Sequence, residues 1–81
     1  MNTKSNDAIL ASSFKALTKQ MRLTREENDD IQFYTNKENT ANISWRFYIP
    51  SKNKAVELSL TKETSTVETK IFDDNIFKYN I

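Results

Sequence analysis

Ile43-Ser44-Trp45-Arg46-Phe47-Tyr48-Ile49 is the stretch of sequence that decides the fold, because a large apolar residue occupies every second position in it. Successive side chains of a β-strand point to opposite faces, so the four apolar side chains share one face and the polar ones the other. Pro50 follows directly and ends the strand, since proline cannot donate to a ladder of hydrogen bonds. The stretch therefore predicts a β-strand with one face in the core.

The same period of two continues on both sides of this strand. It recurs in residues 31–34, 56–61 and 66–71, where apolar or β-branched residues alternate with polar ones. Residues 76–81 form a candidate fifth strand, which either completes the sheet or pairs with a second chain. Parallel crossovers need a dozen or more residues, and the predicted connections are shorter, at residues 36–42, 50–54, 62–65 and 73–75. The sequence therefore predicts an antiparallel meander of four or five strands.

An amphipathic helix precedes these strands. Its apolar residues are spaced by three or four positions, which places them on one stripe of an α-helix: Leu10, Phe14, Leu17 and Met21. We predict this helix over residues 6–23. Thr24 and Glu27 have the spacing of a capping box and predict a short helical turn over residues 25–29. The predicted fold class is α+β, with one N-terminal amphipathic helix packed on the antiparallel sheet in a single domain, residues 1–81.

The composition restricts the chemistry that is possible, because the chain contains no histidine, no cysteine and no glycine. These absences exclude histidine acid–base catalysis, activated thiols, zinc sites and glycine-rich phosphate loops. A serine–lysine pair or a carboxylate site assembled in space stays open. The acidic groups at residues 26–30 and 73–74 lack the spacing and the glycine of a calcium loop, and we interpret them as solvated loop charges. We therefore expect a non-enzymatic protein without a metal or cofactor.

The absence of glycine also affects the turns. Glycine adopts positive φ angles without steric cost, and asparagine is among the next most tolerant residues. We expect positive φ at Asn36, Asn39, Asn53 or Asn75, or longer loops that avoid it.

The charge balance and the hydropathy restrict partners and location. The net charge is +1, from 12 Lys and Arg against 11 Asp and Glu, which favours neither a DNA mimic nor a sequence-independent DNA binder. We expect no membrane segment and no signal peptide, because the sequence has no run of 18 apolar residues and its first residues are polar. A small domain without cysteine is typical of a reducing compartment, so the expected location is cytoplasmic.

A basic surface on the helix is the first candidate for binding a macromolecule. Lys15, Lys19 and Arg22 lie opposite the apolar stripe of the predicted helix and suit phosphates or an acidic protein surface. The alternative interpretation is an ordinary solvated helix face.

The second candidate is the polar face of the sheet. Tyr34, Arg46 and Tyr48 lie close together there if the first two strands pair, and such side chains stack on nucleobases or anchor a protein partner. The alternative is that they form cross-strand pairs that only stabilise the sheet. We expect Trp45, on the opposite face, in the core.

These features favour a small accessory protein that binds a larger host protein or complex. The abundance of Asn, Lys, Ile and Thr suggests an AT-rich coding sequence, and with the small size it suggests an inhibitor or modulator from a phage or mobile element, for example an anti-defence protein. The second hypothesis is a nucleic-acid-binding module that uses the same two surfaces. The third is a structural or self-assembling component, and a homodimer through an edge strand is compatible with each of them.

Overall fold

The helices and strands follow one another in the predicted order in the structure, a computed structural model that describes residues 5–79. The helices are α1 (Asn6–Gln20) and α2 (Arg25–Asp29). The strands are β1 (Gln32–Glu38), β2 (Asn42–Ile49), β3 (Lys54–Thr61) and β4 (Thr66–Asp73), followed by a single turn of 3₁₀ helix, Ile76–Tyr79, which we name the C-terminal turn. The sheet has the order β1-β2-β3-β4 with every neighbour antiparallel. The predicted α+β meander is confirmed, with four strands.

Helix α1 begins and ends at well-defined caps. The Ser5 side chain accepts a hydrogen bond from the Ala8 N–H at the start. At the end, the N–H of Arg22 bonds to the carbonyl of Lys19 and the N–H of Leu23 to that of Thr18, which is the hydrogen-bond pattern of a Schellman motif. The predicted end at residue 23 is therefore wrong, and α1 stops at Gln20.

The short helix α2 matches the prediction for residues 25–29. The Thr24 hydroxyl accepts a hydrogen bond from the Glu27 N–H, and the Glu27 carboxylate accepts one from the Thr24 N–H. These two reciprocal bonds are the predicted capping box.

The core lies between α1 and one face of the sheet, which we call the inner face. Alternate residues of β2 and β3 fill it, and the register places Phe47 opposite Val56 and Trp45 opposite Leu58. Helix α1 lies over β3 and β4 and contributes Leu10 and Leu17 to the core. The buried sheet residues of this core are Ile43, Phe47, Ile49, Val56, Leu58 and Leu60.

Strand β1 differs from its prediction in length and in regularity. It extends to Glu38, so the predicted loop at residues 36–42 is confined to residues 39–41. Asn39 closes this turn, because its Oδ1 accepts hydrogen bonds from the N–H groups of Ala41 and Asn42. The register with β2 shifts between Phe33 and Thr35, which indicates a β-bulge at Tyr34.

Positive φ angles occur at four residues between positions 5 and 79. Asn53, at 53°, confirms one of the four asparagine predictions. The others occur at Arg22, Ser65 and Asp74 rather than at asparagine. Each of these three follows a helix or lies at a strand connection, where the geometry of the turn outweighs the preference of the side chain.

The C-terminal turn replaces the fifth strand that the sequence suggested. Asp74 has a φ of 69° and its carbonyl accepts a hydrogen bond from the Ile76 N–H, so the chain turns away from β4 instead of pairing again. Phe77 is buried against the second face of the sheet, which we call the outer face, between Tyr34 and Phe72. Residues 80–81 of the predicted strand lie outside the described residues.

Neither α1 nor α2 has the length and apolarity required to cross a bilayer.

Candidate functional site

The structure brings Tyr34, Arg46 and Tyr48 together on the outer face, as the period of two predicted. Gln32 lies opposite Tyr48 in the register, and Thr35 lies opposite Arg46. Helix α1 packs on the inner face, so these three residues lie on the side of the sheet away from the helix.

Arg46 has two partners within the chain. Its Nε donates a hydrogen bond of 2.6 Å to Oε2 of Glu57, which faces it across β2 and β3. Its guanidinium also lies 5.7 Å from the centre of the Phe77 ring, within the range of a cation–π interaction. The side chains of Arg46 and Glu57 are only 36% and 17% exposed. Arg46 is therefore positioned by the C-terminal turn and by β3.

The two tyrosines are also hydrogen-bonded within the chain. The Tyr34 hydroxyl donates to Oε1 of Gln32 at 3.0 Å and accepts from Nδ2 of Asn75 at 2.9 Å. The Tyr48 hydroxyl donates to Oδ1 of Asn53 at 2.5 Å. A partner that bound this face would have to replace these hydrogen bonds or bind the side chains in the positions that the hydrogen bonds fix.

The predicted basic surface is divided by the end of the helix. Lys15 and Lys19 lie on the exposed side of α1, whereas Arg22 follows the helix in the left-handed region of φ. Among residues 5–79, none of these three cations forms a salt bridge. Since α1 lies on the inner face, the basic surface and the tyrosine–arginine group are on opposite sides of the sheet and cannot contact one flat partner surface together.

Two residues of the acidic groups, Glu27 and Asp73, have local structural roles. A hydrogen bond with the Ser51 side chain, together with the one accepted from the Thr24 N–H, lowers the pKa of Glu27 to about 2. The pKa of Asp73 is also lowered, because Lys54 donates a hydrogen bond to it and carries the opposite charge. In the described part of the chain, no group of three acidic side chains is arranged to hold a metal ion.

A cleft between α1 and β1 is the surface that the sequence did not predict. It has a volume of about 520 Å³ and a mostly apolar lining, formed by Ala11, Phe14, Phe33, Tyr34, Thr35, Asn36 and Trp45. Phe14, Phe33 and Phe47 contact one another, with ring centres 5.0 to 5.6 Å apart. Phe33 lies at the mouth and is 61% exposed, although its ring belongs to this aromatic cluster.

The cleft exists because one helix cannot cover four strands. Helix α1 lies over β3 and β4, and its Phe14 reaches across to β2, so the inner face of β1 stays largely uncovered. The alternation in residues 31–34 placed Phe33 on the apolar face, but nothing local in the sequence indicates which strands the helix covers.

A lysine borders the aromatic cleft. Lys15 lines a shallow depression next to it, together with Phe14, Phe33 and Asn28. Trp45 forms part of the cleft wall and is partly buried rather than fully in the core. Its Nε1 is buried and has no hydrogen-bond acceptor among residues 5–79. The cleft therefore combines exposed aromatic surface with a nearby positive charge.

No protein-family model, no curated protein and no solved structure matches this chain. Function therefore has to be inferred from the chemistry of the cleft and of the charges around it.

Proposed function

We propose that this chain is a non-catalytic protein-binding module, whose partner inserts an apolar side chain into the cleft between α1 and β1. The observation that carries the proposal is Phe33, which is 61% exposed while its ring contacts those of Phe14 and Phe47. Burial of apolar surface contributes about 25 cal/mol per Å², and aromatic residues next to a pocket are the usual anchors of protein interfaces. An aromatic cluster held at the surface by the fold is suited to this use.

The charge beside the cleft indicates the chemistry of the partner. Lys15 borders the aromatic cluster, and Lys19 follows one turn later on the exposed side of α1. Neither forms a salt bridge with another residue between positions 5 and 79. A partner segment that carries a carboxylate next to its apolar anchor would complement both features. The expected partner is therefore a protein segment with an aromatic or branched apolar residue flanked by Asp or Glu.

This proposal keeps the predicted role and changes the predicted contact surface. The partner is still a larger host protein or complex, and Lys15 and Lys19 still belong to the contact. The tyrosine–arginine group is less suited to it, because its polar groups have partners within the chain. The proposal also keeps the predicted origin in a phage or mobile element and the inhibitory or anti-defence role, and both rest on size and composition alone.

Nucleic-acid binding is the less favoured alternative. Base stacking on an open sheet commonly uses exposed aromatic and arginine side chains on one face, and Arg46 is instead paired with Glu57 and stacked on Phe77. This alternative can be recognised in an experiment, because the affinity for nucleic acid falls steeply with salt when phosphate contacts release counterions.

Selection from a displayed random-peptide library, with the immobilised full chain as bait, tests the proposal. We expect enrichment of peptides with an apolar residue next to Asp or Glu. Phe33→Ser should weaken their binding by about 30-fold or more, as loss of an interface anchor does, and Lys15→Glu by about 3- to 10-fold. Ile71→Ser is the matched control and should leave the binding of these peptides unchanged. Ile71 is also exposed, at 50%, but lies at the opposite edge of the sheet, on β4.

Two results would overturn the proposal. One is the absence of any enriched peptide, or enriched peptides that bind Phe33→Ser as well as they bind the unmodified chain. The other is salt-sensitive binding of a single-stranded DNA oligonucleotide that requires Phe33, which would favour the nucleic-acid hypothesis instead.

A further inference from the structure

We propose that the free edge of β4 pairs with the same edge of a second copy of the chain, forming an antiparallel dimer whose two-fold axis passes through Thr69. Strand β4 is the last strand of the sheet, and among residues 5–79 it pairs on one side only, with β3. An edge strand presents unpaired N–H and C=O groups, which another strand can satisfy. This inference concerns a different surface from the cleft and does not depend on the proposed function.

The sequence of β4 is complementary to itself in this register. With Thr69 opposite its own copy, Glu68 of each chain lies opposite Lys70 of the other, and Val67 lies opposite Ile71. Two-fold symmetry makes each pair occur twice. Directly opposed side chains of antiparallel strands share one face and interact, so opposite charges and apolar pairs both stabilise this register. A shift of one residue in either chain would lose both complementarities.

The side chains involved are available in the single chain. Glu68, Lys70 and Ile71 are exposed, and Ile71 is one of two large apolar residues with at least half of their surface exposed among residues 5–79. The Lys70 Nζ and the Glu68 Oε1 are 3.9 Å apart along the same strand, a long and weak contact in water. Pairing with the opposed chain would give each charge a second, cross-strand partner.

The two edges of the sheet differ in their suitability for pairing. Strand β1 carries the bulge at Tyr34, and bulges interrupt the regular spacing that a new strand requires. Strand β4 pairs with β3 through all eight of its residues without a shift in register, and it contains no proline. The regular edge is therefore β4.

The position of α1 is compatible with this dimer. The helix lies over β3 and β4, so the two helices would lie on the same face of a joined eight-stranded sheet, roughly 10 to 14 Å apart given a strand spacing of about 4.8 Å. Packed helices are commonly separated by 8–10 Å, so the helices approach each other without overlap. A shallow depression between α1 and β4, lined by Ala16, Gln20, Thr69 and Ile71, would then be covered by the second copy.

The expected dimer is weak. With Thr69 on the axis, the seven residues 66–72 of β4 pair and span about 23 Å, and an interface limited to one strand edge is smaller than the standard size for stable complexes. We therefore expect a dissociation constant between about 10 µM and 1 mM.

Sedimentation equilibrium of the full chain tests this dimer. Concentrations from about 10 µM to about 1 mM span the expected range of dissociation constants. The unmodified chain should change from its monomer mass of 9.5 kDa toward twice that mass. Glu68→Lys and Lys70→Glu should each weaken the dimer by about tenfold or more, because each places like charges opposite one another twice. The double variant Glu68→Lys/Lys70→Glu should restore it, and Lys37→Glu on β1 should have no effect.

A disulfide trap tests the position of the two-fold axis. Directly opposed residues in antiparallel strands have Cα atoms about 4.5 to 5.5 Å apart, which a disulfide can bridge. Because the chain has no cysteine of its own, mild oxidation of Thr69→Cys should give a disulfide-linked dimer, and oxidation of Lys37→Cys should not.

A monomer mass throughout the concentration range would overturn the inference. So would a dimer that neither single charge reversal weakens, a double variant that is not restored, or equal disulfide formation by Thr69→Cys and Lys37→Cys.

Discussion

Arg46→Ala should destabilise the fold, because the structure gives this side chain two intramolecular partners. It loses a partly buried ion pair with Glu57, for which about 1 kcal/mol is reasonable, between the values for exposed and buried pairs. It also loses the cation–π contact with Phe77, for which about 0.5–1 kcal/mol is typical. We expect a loss of about 1.5–2 kcal/mol in the free energy of unfolding. For a chain of this length, that corresponds to a decrease in Tm of roughly 6–16 °C.

Thermal and urea unfolding measured by tryptophan fluorescence provides the assay, because Trp45 is the one tryptophan in the chain. Lys37→Ala is the control, since Lys37 is an exposed cation of the neighbouring strand, and we expect it to change the stability by less than about 0.5 kcal/mol. A double-mutant cycle of Arg46→Ala and Phe77→Ala should give a coupling energy of about 0.5–1 kcal/mol. A Tm for Arg46→Ala within about 2 °C of that of the unmodified chain would refute this account of Arg46. It would favour the prediction that Arg46 contacts a binding partner.

Three further predictions concern stability, measured by the same unfolding experiments. Phe47→Ala should cost about 3–5 kcal/mol, because its ring is fully buried, whereas Phe33→Ala should cost about 1–2 kcal/mol, and equal costs would contradict the exposed position of Phe33. The pKa of Glu27 is lowered from 4.5 to about 2, so its ionised form stabilises the fold above about pH 4.5 and this contribution is lost as the pH falls toward 2. Glu27→Gln should therefore be less stable than the unmodified chain at pH 7, the difference should become small as the pH falls to about 2, and a difference that does not change with pH would contradict the lowered pKa. Ser65→Gly should stabilise the fold by about 0.5–1 kcal/mol, because Ser65 has a φ of 54°, and a loss of stability would show that this angle carries no strain.

Periodicity in the sequence was sufficient to predict most of the fold. The stripe of α1 and the alternation in β2, β3 and β4 are local patterns, and most of the residues that these patterns placed on the apolar faces lie in or against the core, although Ile71 of β4 is exposed. The capping box at Thr24 was predictable for the same reason, because its two hydrogen bonds join residues three positions apart.

Two elements differ from the prediction for different reasons, one a contact between distant parts of the chain and the other a local cap that the sequence does not mark with a glycine. The alternation of residues 76–81 resembles a strand, but Phe77 is instead buried on the outer face by Tyr34 and Phe72. The end of α1 is set by hydrogen bonds of the Schellman motif, which placed Arg22 in the left-handed region without a glycine to indicate it.

The candidate site was predictable only in part. Alternation correctly placed Tyr34, Arg46 and Tyr48 on one face, but it could not show that Glu57 and Phe77 would pair with Arg46. The cleft was missed because Phe33 has the sequence pattern of a core residue. Its exposure results from the position of α1 over β3 and β4, which is set by tertiary packing.

The measurement that tests the central claim most directly is site-specific photo-crosslinking with p-benzoylphenylalanine in place of either Phe33 or Ile71. Both positions are exposed and apolar, but Phe33 lies at the cleft on β1 and Ile71 lies on β4. In lysate of the cells that encode the chain, position 33 should form an adduct with a different protein. That adduct should survive nuclease and be displaced by the peptide selected on the unmodified chain. Position 71 should not form this adduct. The same adducts from both positions, or no adduct from position 33, would contradict the claim that the cleft between α1 and β1 is a protein-binding site.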